Sequence, residues 1–369
     1  MIAFISFTPH HVWNSIVMIK KMFPDEKCDL YLSDSSDGYL DIIERLKKEN
    51  LFEDIIPCTV KKLFCGEYKN KLARMLRRSL YFIFWRRFLR KNAPIKKVKY
   101  SKVFLAGVDD QRCFMLTRMK QLNPDIEPIY FEDGANDYLY ASHVKHNRKK
   151  SFLAKIVGLK YKIGYNIKTA YISSPECVAS SDFEYLPIPV IDQEKDTELK
   201  ETINRVFGYK NYHINENVVY LYNRIPSVAE GMEKVMNDIA ARYGADSIIL
   251  KDHPRLHAKG YEGIKRIPQE YEIMWEAMCL NNDFSDKILI SHCSTALFTP
   301  KFLFDQEPIM IFLFNMLRDP GMEKNDRRKS FEIFVEKLKN VYRDKWKVFL
   351  PETEEELQEY LEKVMNKNG

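Results

Sequence analysis

The chain has 369 residues, 45% apolar and 30% charged, with 13 Gly and 16 Pro. This balance excludes a disordered or collagen-like chain, and at roughly 100–200 residues per domain it anticipates two domains. The net charge of +6 hides an uneven distribution, because Lys61–Tyr100 carries 14 Lys and Arg against the single acid Glu67. Lys145–Lys168 adds eight Lys and Arg with no acid, which leaves −15 on everything outside the two stretches.

Along the chain, Ile2–Phe7 reads as a strand, Thr8–Pro9 as a break and Val12–Phe23 as a helix. Cys28–Leu32 is a strand, Asp34–Gly38 a turn, Tyr39–Leu51 an amphipathic helix and Asp54–Thr59 a strand. After the basic stretch come Lys102–Ala106 (strand), Asp110–Leu122 (helix) and Ile126–Phe131 (strand), the last feeding Glu132-Asp133-Gly134. Leu186–Val190 is extended by its prolines, and acids cluster from Asp192 to Glu201. The alternation then restarts with Val218–Tyr222, Val228–Tyr243, Ser247–Lys251, Glu272–Leu280, Lys287–Ser291, Thr295–Phe304 and Pro308–Phe312. Thr353–Met365 is a charged amphipathic helix. The pattern predicts an α/β fold with mostly parallel sheets in two halves. The expected divisions are 1–190 with a basic insertion at 61–100, a linker at 191–215, a second domain at 216–345 and a terminal helix at 346–369.

Seven scattered cysteines without C-x-x-C spacing fit reduced thiols in the cytoplasm. No run approaches the about 20 apolar residues of a membrane span, and the N-terminus lacks the charged region of a signal peptide. The sequence has no G-x-G-x-x-G, P-loop, G-x-S-x-G or D-x-D, so no metal is expected to grip a diphosphate here.

Ligands of open parallel sheets gather at the carboxyl ends of strands. Three polar motifs fall there. In Tyr130–Gly134, one acid suits a general base and the other its orienter; a plain Asp-Gly turn is the alternative. In Leu250–Arg255, His253 between a strand and Pro254, near Lys251 and Arg255, suits an anionic phosphate leaving group; an idle loop histidine is the alternative. In Ile290–Ala296, Ser294 and Thr295 open a helix whose N–H groups suit a phosphate; an ordinary N-cap is the alternative. Glu270 is placed to accept bonds from ribose hydroxyls or to sit at a helix start. The acids lie in the first half and the histidine and hydroxyls in the second, as expected if one half holds an acceptor and base and the other a nucleotide phosphate. Met75–Lys91 mixes aromatics with arginines and reads as a basic helix at a membrane interface or as a packed helix with a solvated face; no recognised nucleic-acid motif accompanies it.

Glu132-Asp133-Gly134, His253-Pro254 and Ser294-Thr295 resemble the D/E-D-G, H-P and S-S/S-T motifs of bacterial sialyltransferases. The opening ISFTPHHVWNS is similar to the first strand and loop of the lipooligosaccharide and capsule members. This resemblance implies a GT-B fold, with two Rossmann-like domains facing a central cleft. It also implies an inverting, metal-independent transfer of N-acetylneuraminic acid from CMP-Neu5Ac, with no cofactor, to a galactose-type hydroxyl on a lipooligosaccharide or capsular glycan. The cysteines and the basic segment, read by themselves, place the protein in the cytoplasm, peripheral on the inner membrane face. Under the resemblance Asp133 is the base and His253 assists departure of CMP. Ser294, Thr295, Pro254 and Arg255 hold the phosphate and Glu270 the ribose, with Glu132, Gly134, His10 and His11 on the acceptor side. Some relatives take their base from an Asp after the first strand of the second domain, whereas Leu221–Ser227 here has no acid. Another CMP- or UDP-linked sugar, or a non-catalytic glycan- or membrane-binding role, is the alternative.

Overall fold

The computed structural model describes residues 1–34, 39–59, 76, 79–107, 109–134, 136–139, 156–159, 167–180, 182–223, 225–253, 260–261, 263–268, 271, 274–320 and 327–365. Residues 61–75, 77 and 78 of the basic stretch 61–100, and 145–155 and 160–166 of the stretch 145–168, lie outside these residues. The chain forms two compact units, residues 1–189 with 201–207 and residues 190–200 with 208–369.

The first unit is built on a seven-stranded sheet. Its elements are β1 (Ile2–Ser6), α1 (Pro9–Met22), β2 (Cys28–Ser33), α2 (Tyr39–Glu49), β3 (Asp54–Cys58) and α3 (Trp85–Asn92). They continue as β4 (Lys102–Leu105), α4 (Asp110–Leu122), β5 (Glu127–Phe131), a short α5 (Asn136–Leu139), β6 (Thr169–Ile172) and β7 (Glu184–Pro187). The strand order is β3-β2-β1-β4-β5-β6-β7, with every pair parallel. Strands buried on both faces read as continuous apolar runs, and β1 and β2 are buried throughout. Phe4 and Phe104, partners in register, stack with ring centroids 4.6 Å apart. Thr8 caps α1 by accepting the His11 N–H, and Pro9 occupies the first turn, where its missing N–H costs nothing.

The second unit repeats the plan. After α6 (Thr197–Phe207) come β8 (Val218–Leu221), α7 (Ala229–Tyr243), β9 (Ile248–Lys251), β10 (Lys265–Arg266), α8 (Trp275–Asn281) and β11 (Ile288–Ser291). The chain ends with α9 (Thr299–Phe304), β12 (Ile309–Phe312), α10 (Arg327–Val341), β13 (Val348–Phe349) and α11 (Glu354–Met365). The order is β10-β9-β8-β11-β12-β13, again all parallel. Leu357, Leu361 and Val364 of α11, spaced four and three apart on one face, join the core cluster against Val218, Ile288 and Ile309.

Two expectations change. The stretch 191–215 is not an irregular connection throughout, since α6 buries Leu199, Ile203, Val206 and Phe207 at helical spacing. Residues 190–200 group with the second unit and 201–207 with the first. The helix expected at Thr295–Phe304 is interrupted: Thr295–Leu297 is a 3₁₀ turn and α9 starts at Thr299. Pro300 explains the break, because it has no N–H to give the Ala296 carbonyl four residues back, which accepts Trp275 Nε1 at 2.8 Å instead. Among the described residues no helix is long and apolar enough to cross a membrane.

Candidate active site

In each sheet the first strand of the unit lies third from one edge, and the chain winds outward to either side of it. The reversals fall between β1 and β4 and between β8 and β11, where the carboxyl ends of neighbouring strands leave a ligand crevice. The candidate residues gather at these two places.

At the first, Glu132 and Asp133 follow β5 directly. Glu132 is buried; its Oε2 accepts the Tyr138 hydroxyl at 2.9 Å and the Ser173 N–H at 2.7 Å, and His10 Nε2 lies 3.6 Å from its Oε1. Burial opposes its charge, but the His10 and Ser173 contacts prevail and lower its pKa. Asp133 is 39% exposed, and its Oδ1 lies 2.8 Å from His11 Nε2 in a short, bent contact. Asp133 is thus oriented by His11, and the neighbouring acid Glu132 serves the scaffold.

The imidazole of His11 is fully enclosed, and its Nδ1 accepts the Phe7 N–H at 3.0 Å. The proton is therefore assigned to Nε2, facing Asp133. Burial pulls the pKa of His11 down to about 4 against the opposing pull of Asp133, so the ring is neutral at physiological pH. For Asp133, burial raises the pKa, but the His11 contact and the Arg112 guanidinium outweigh it and bring the group to about 2. The carboxylate stays ionised throughout the physiological range.

Three further residues complete this corner, none of which carries a sequence motif. Arg112, buried in the first turn of α4, gives Nη1 to Asp109 Oδ2 at 2.7 Å and lies 3.9 Å from Asp133 through Nη2. Its guanidinium stacks 4.1 Å above the Phe7 ring. Gly107, at φ +77°, leaves the space it needs, since a Cβ there would stand 3.0 Å from Arg112 and 3.6 Å from Asp133 Oδ2. Asp137 fixes the turn: Oδ2 accepts the N–H groups of Asp133 at 2.6 Å and Gly134 at 3.3 Å, and Oδ1 accepts the Tyr130 hydroxyl at 2.6 Å. Gly134 adopts φ +132°, which a side chain resists. Burial, stronger than these bonds, raises Asp137 to about 7. The signal for Asp137 was its place at a helix start three and four residues after Gly134 and Asp133, where a carboxylate reaches back to preceding N–H groups as in a capping box.

In the second unit, β9 and β11 flank β8, so the exits that carry His253 and Ser294 are two strand spacings, roughly 10 Å, apart. His253 is partly buried and follows Asp252, whose carboxylate takes Arg266 Nη1 at 3.2 and 3.0 Å. Arg266 also donates Nη2 to the Gly260 carbonyl, and Lys251 Nζ donates to the Asp252 carbonyl. Ser294 is half-buried and caps the 3₁₀ turn by accepting the Ala296 N–H at 3.3 Å, while Thr295 is exposed. That turn uses the Leu297 N–H, which a continuous helix would have left free, in a bond to the Ser294 carbonyl, and the Phe298 N–H bonds to Thr295. The Ser291 hydroxyl, bonded to the Leu221 carbonyl at 2.6 Å, ties the β11 exit to β8. Asn223, next along from β8, lies 3.6 Å from Cys293 Sγ through its amide nitrogen. Pro254, Arg255 and Glu270 lie outside the described residues.

A family model described as Alpha-2,8-polysialyltransferase (POLYST) matches residues 84–311, more than half of the chain. The matched segment includes Glu132-Asp133-Gly134, His253 and Ser294; His10 and His11 precede it. No curated protein matches the chain. Among solved structures, the glycotransferase of kitacinnamycin superposes with a TM-score of 0.51 at 11% identity, covering 98% of this chain and 89% of that one. A sialyltransferase from Photobacterium damsela gives a TM-score of 0.46 at 10% identity, covering 95% and 81%. At these identities the likeness is one of fold. The two Rossmann-type units have the architecture of GT-B glycosyltransferases.

Proposed function

Because the chain belongs to the alpha-2,8-polysialyltransferase family, and is therefore a glycosyltransferase, we propose that it moves sialic acid from CMP-N-acetylneuraminate to a glycan acceptor with inversion and without a metal. The observation that carries this reading is Asp133: a carboxylate at a strand exit, ionised at working pH, with one oxygen on His11.

In this reading the acceptor hydroxyl lies against Asp133 Oδ2. Its oxygen bonds to the anomeric carbon as the bond from that carbon to the phosphate oxygen breaks. The electron pair leaves with CMP and the proton passes to Asp133. A carboxylate of such low pKa accepts the proton late, once the attacking oxygen has gained positive character. Single displacement inverts the anomeric centre. His253 and the Ser294-Thr295 turn stabilise the charge that develops on the phosphate. Neutral His11 has no free acceptor nitrogen, so it holds Asp133 in place and takes no proton itself. The family's description favours the 8-hydroxyl of a terminal sialic acid as acceptor over the galactose hydroxyl expected at first. The reaction belongs in the cytoplasm, where the glycan is being built.

The test is to incubate the full chain with CMP-N-acetylneuraminate and either a sialic-acid-terminated or a galactose-terminated oligosaccharide, with UDP-hexoses in parallel. Extension of the sialylated acceptor with release of CMP is expected. Extension from UDP-hexoses alone would overturn the donor, and no turnover with any donor would overturn catalysis.

A further inference from the structure

One helical stretch of the first unit has two faces with different histories. The buried face carries Phe82, Trp85, Phe88 and Leu89. Three of these rings pack on Phe114 of α4 at centroid distances of 5.8–6.4 Å, and Trp85 Nε1 donates to the Val157 carbonyl at 2.9 Å. The Phe84 N–H bonds to Leu80 and the Phe88 N–H to Phe84, so helical pairing runs from residue 80 into α3. This face fully accounts for how the helix is anchored.

The outward face has no such account. Leu76, Leu80, Ile83 and Phe84 are 52–58% exposed, and their spacing of four, three and one residues turns all of them away from the buried face. The same arc continues into Arg87, Arg90 and Lys91, all exposed. The sequence has no Asp or Glu from Tyr68 to Val108. Large apolar side chains ranged along an exposed stripe mark a contact surface. An apolar stripe continued by cations, with no acid nearby in the sequence, favours an occupant that is apolar inside and anionic at its face.

We propose that this ridge seats the enzyme on an anionic lipid surface. Leu76, Leu80, Ile83 and Phe84 enter the interface, and the arginines and Lys91 meet the lipid phosphates. A free acidic glycan would use the cations and leave the apolar stripe idle, and a protein partner would not require an all-basic continuation. The proposal is independent of the donor and acceptor, because none of these residues belongs to the catalytic corner.

The experiment is flotation of the full chain with vesicles of phosphatidylcholine alone or mixed with phosphatidylglycerol. The expected result is binding to the mixed vesicles only, weakened about fivefold by each basic residue removed, as in Arg87→Gln and Arg90→Gln. A Leu80→Ser, Phe84→Ser double variant keeps every charge and is expected to lose the vesicles while extending a soluble oligosaccharide at the wild-type rate. Absence of vesicle binding, or equal binding by the serine variant, would overturn the proposal. Retention of the wild type on a soluble polyanion without vesicle binding would reassign the cations to an acidic glycan.

Discussion

His11 and Asp133 meet across the sheet: Nε2 of the first lies 2.8 Å from Oδ1 of the second, and the other ring nitrogen is occupied by the Phe7 N–H. The exit of β1 thereby orients a carboxylate delivered by β5. One oxygen of Asp133 is committed to the protein, which leaves Oδ2 for an acceptor.

Asp133→Asn retains the size of the side chain and removes its basicity. Turnover should fall about 10²–10⁴-fold. Because the residue is 39% exposed, thermal stability should stay close to wild type. CMP release and a melting curve on the same preparation check both halves, and undiminished turnover would remove Asp133 from the mechanism.

His11→Phe keeps an aromatic ring but releases Asp133. Misplacement of a reacting group costs roughly 10²-fold, so kcat should drop while the KM for the donor holds. The substitution also has a pH signature. The folded pKa of His11 is about 4, below its unfolded value near 6.5, so the unfolded chain binds the proton first. Its contribution to stability is complete above about pH 6.5 and declines towards pH 4. Denaturation midpoints across this window should therefore fall less steeply with acid in His11→Phe than in the wild type.

Asp137→Ala strands the N–H groups of Asp133 and Gly134 and the Tyr130 hydroxyl. Leaving buried donors unpaired costs about 1–3 kcal/mol. Chemical denaturation should register that loss, and activity should fall with it because the turn that presents Asp133 is no longer held. Equal stability would show that water takes over the role of the carboxylate.

Arg266→Met removes the guanidinium that pairs with the buried Asp252 carboxylate. Breaking such a pair costs 3–5 kcal/mol in a closed interior, but Arg266 is 33% exposed, which brings the expectation to about 1–3 kcal/mol. The loop carrying His253 should loosen, raising the donor KM more than it lowers kcat. Isothermal titration with CMP would expose the weakened binding directly.

The sequence and the structure agree where residues carry periodic or positional signals. Asp110–Leu122 has the same limits in both, and the central strands differ by a residue or two at their ends. The short β6 and β7 escape such reading because Thr169–Ile172 and Glu184–Pro187 offer too few apolar residues for a period. Arg112 was illegible for another reason: α4 buries Gln111, Arg112 and Thr117 along with its apolar residues, so no polar face tells which arginine is inside. Glu132 and Asp133 were visible as a pair, but the division between them depends on Tyr138, Ser173 and His11, which only the folded sheet brings close. Ser294 was legible as a cap; that its turn would stop after Leu297 depended on Pro300.

Glu132 and Asp133 stand side by side just past β5, yet one is enclosed and the other 39% exposed, and Asp137 reaches back to the N–H groups of Asp133 and Gly134. The segment from Tyr130 to Asp137 is therefore a ruler of fixed length. A single inserted or deleted residue there would put an acid meant for the interior into the crevice, its partner into the core, and the Asp137 clasp out of reach. Substitutions in this segment can be gradual in effect; changes of length cannot.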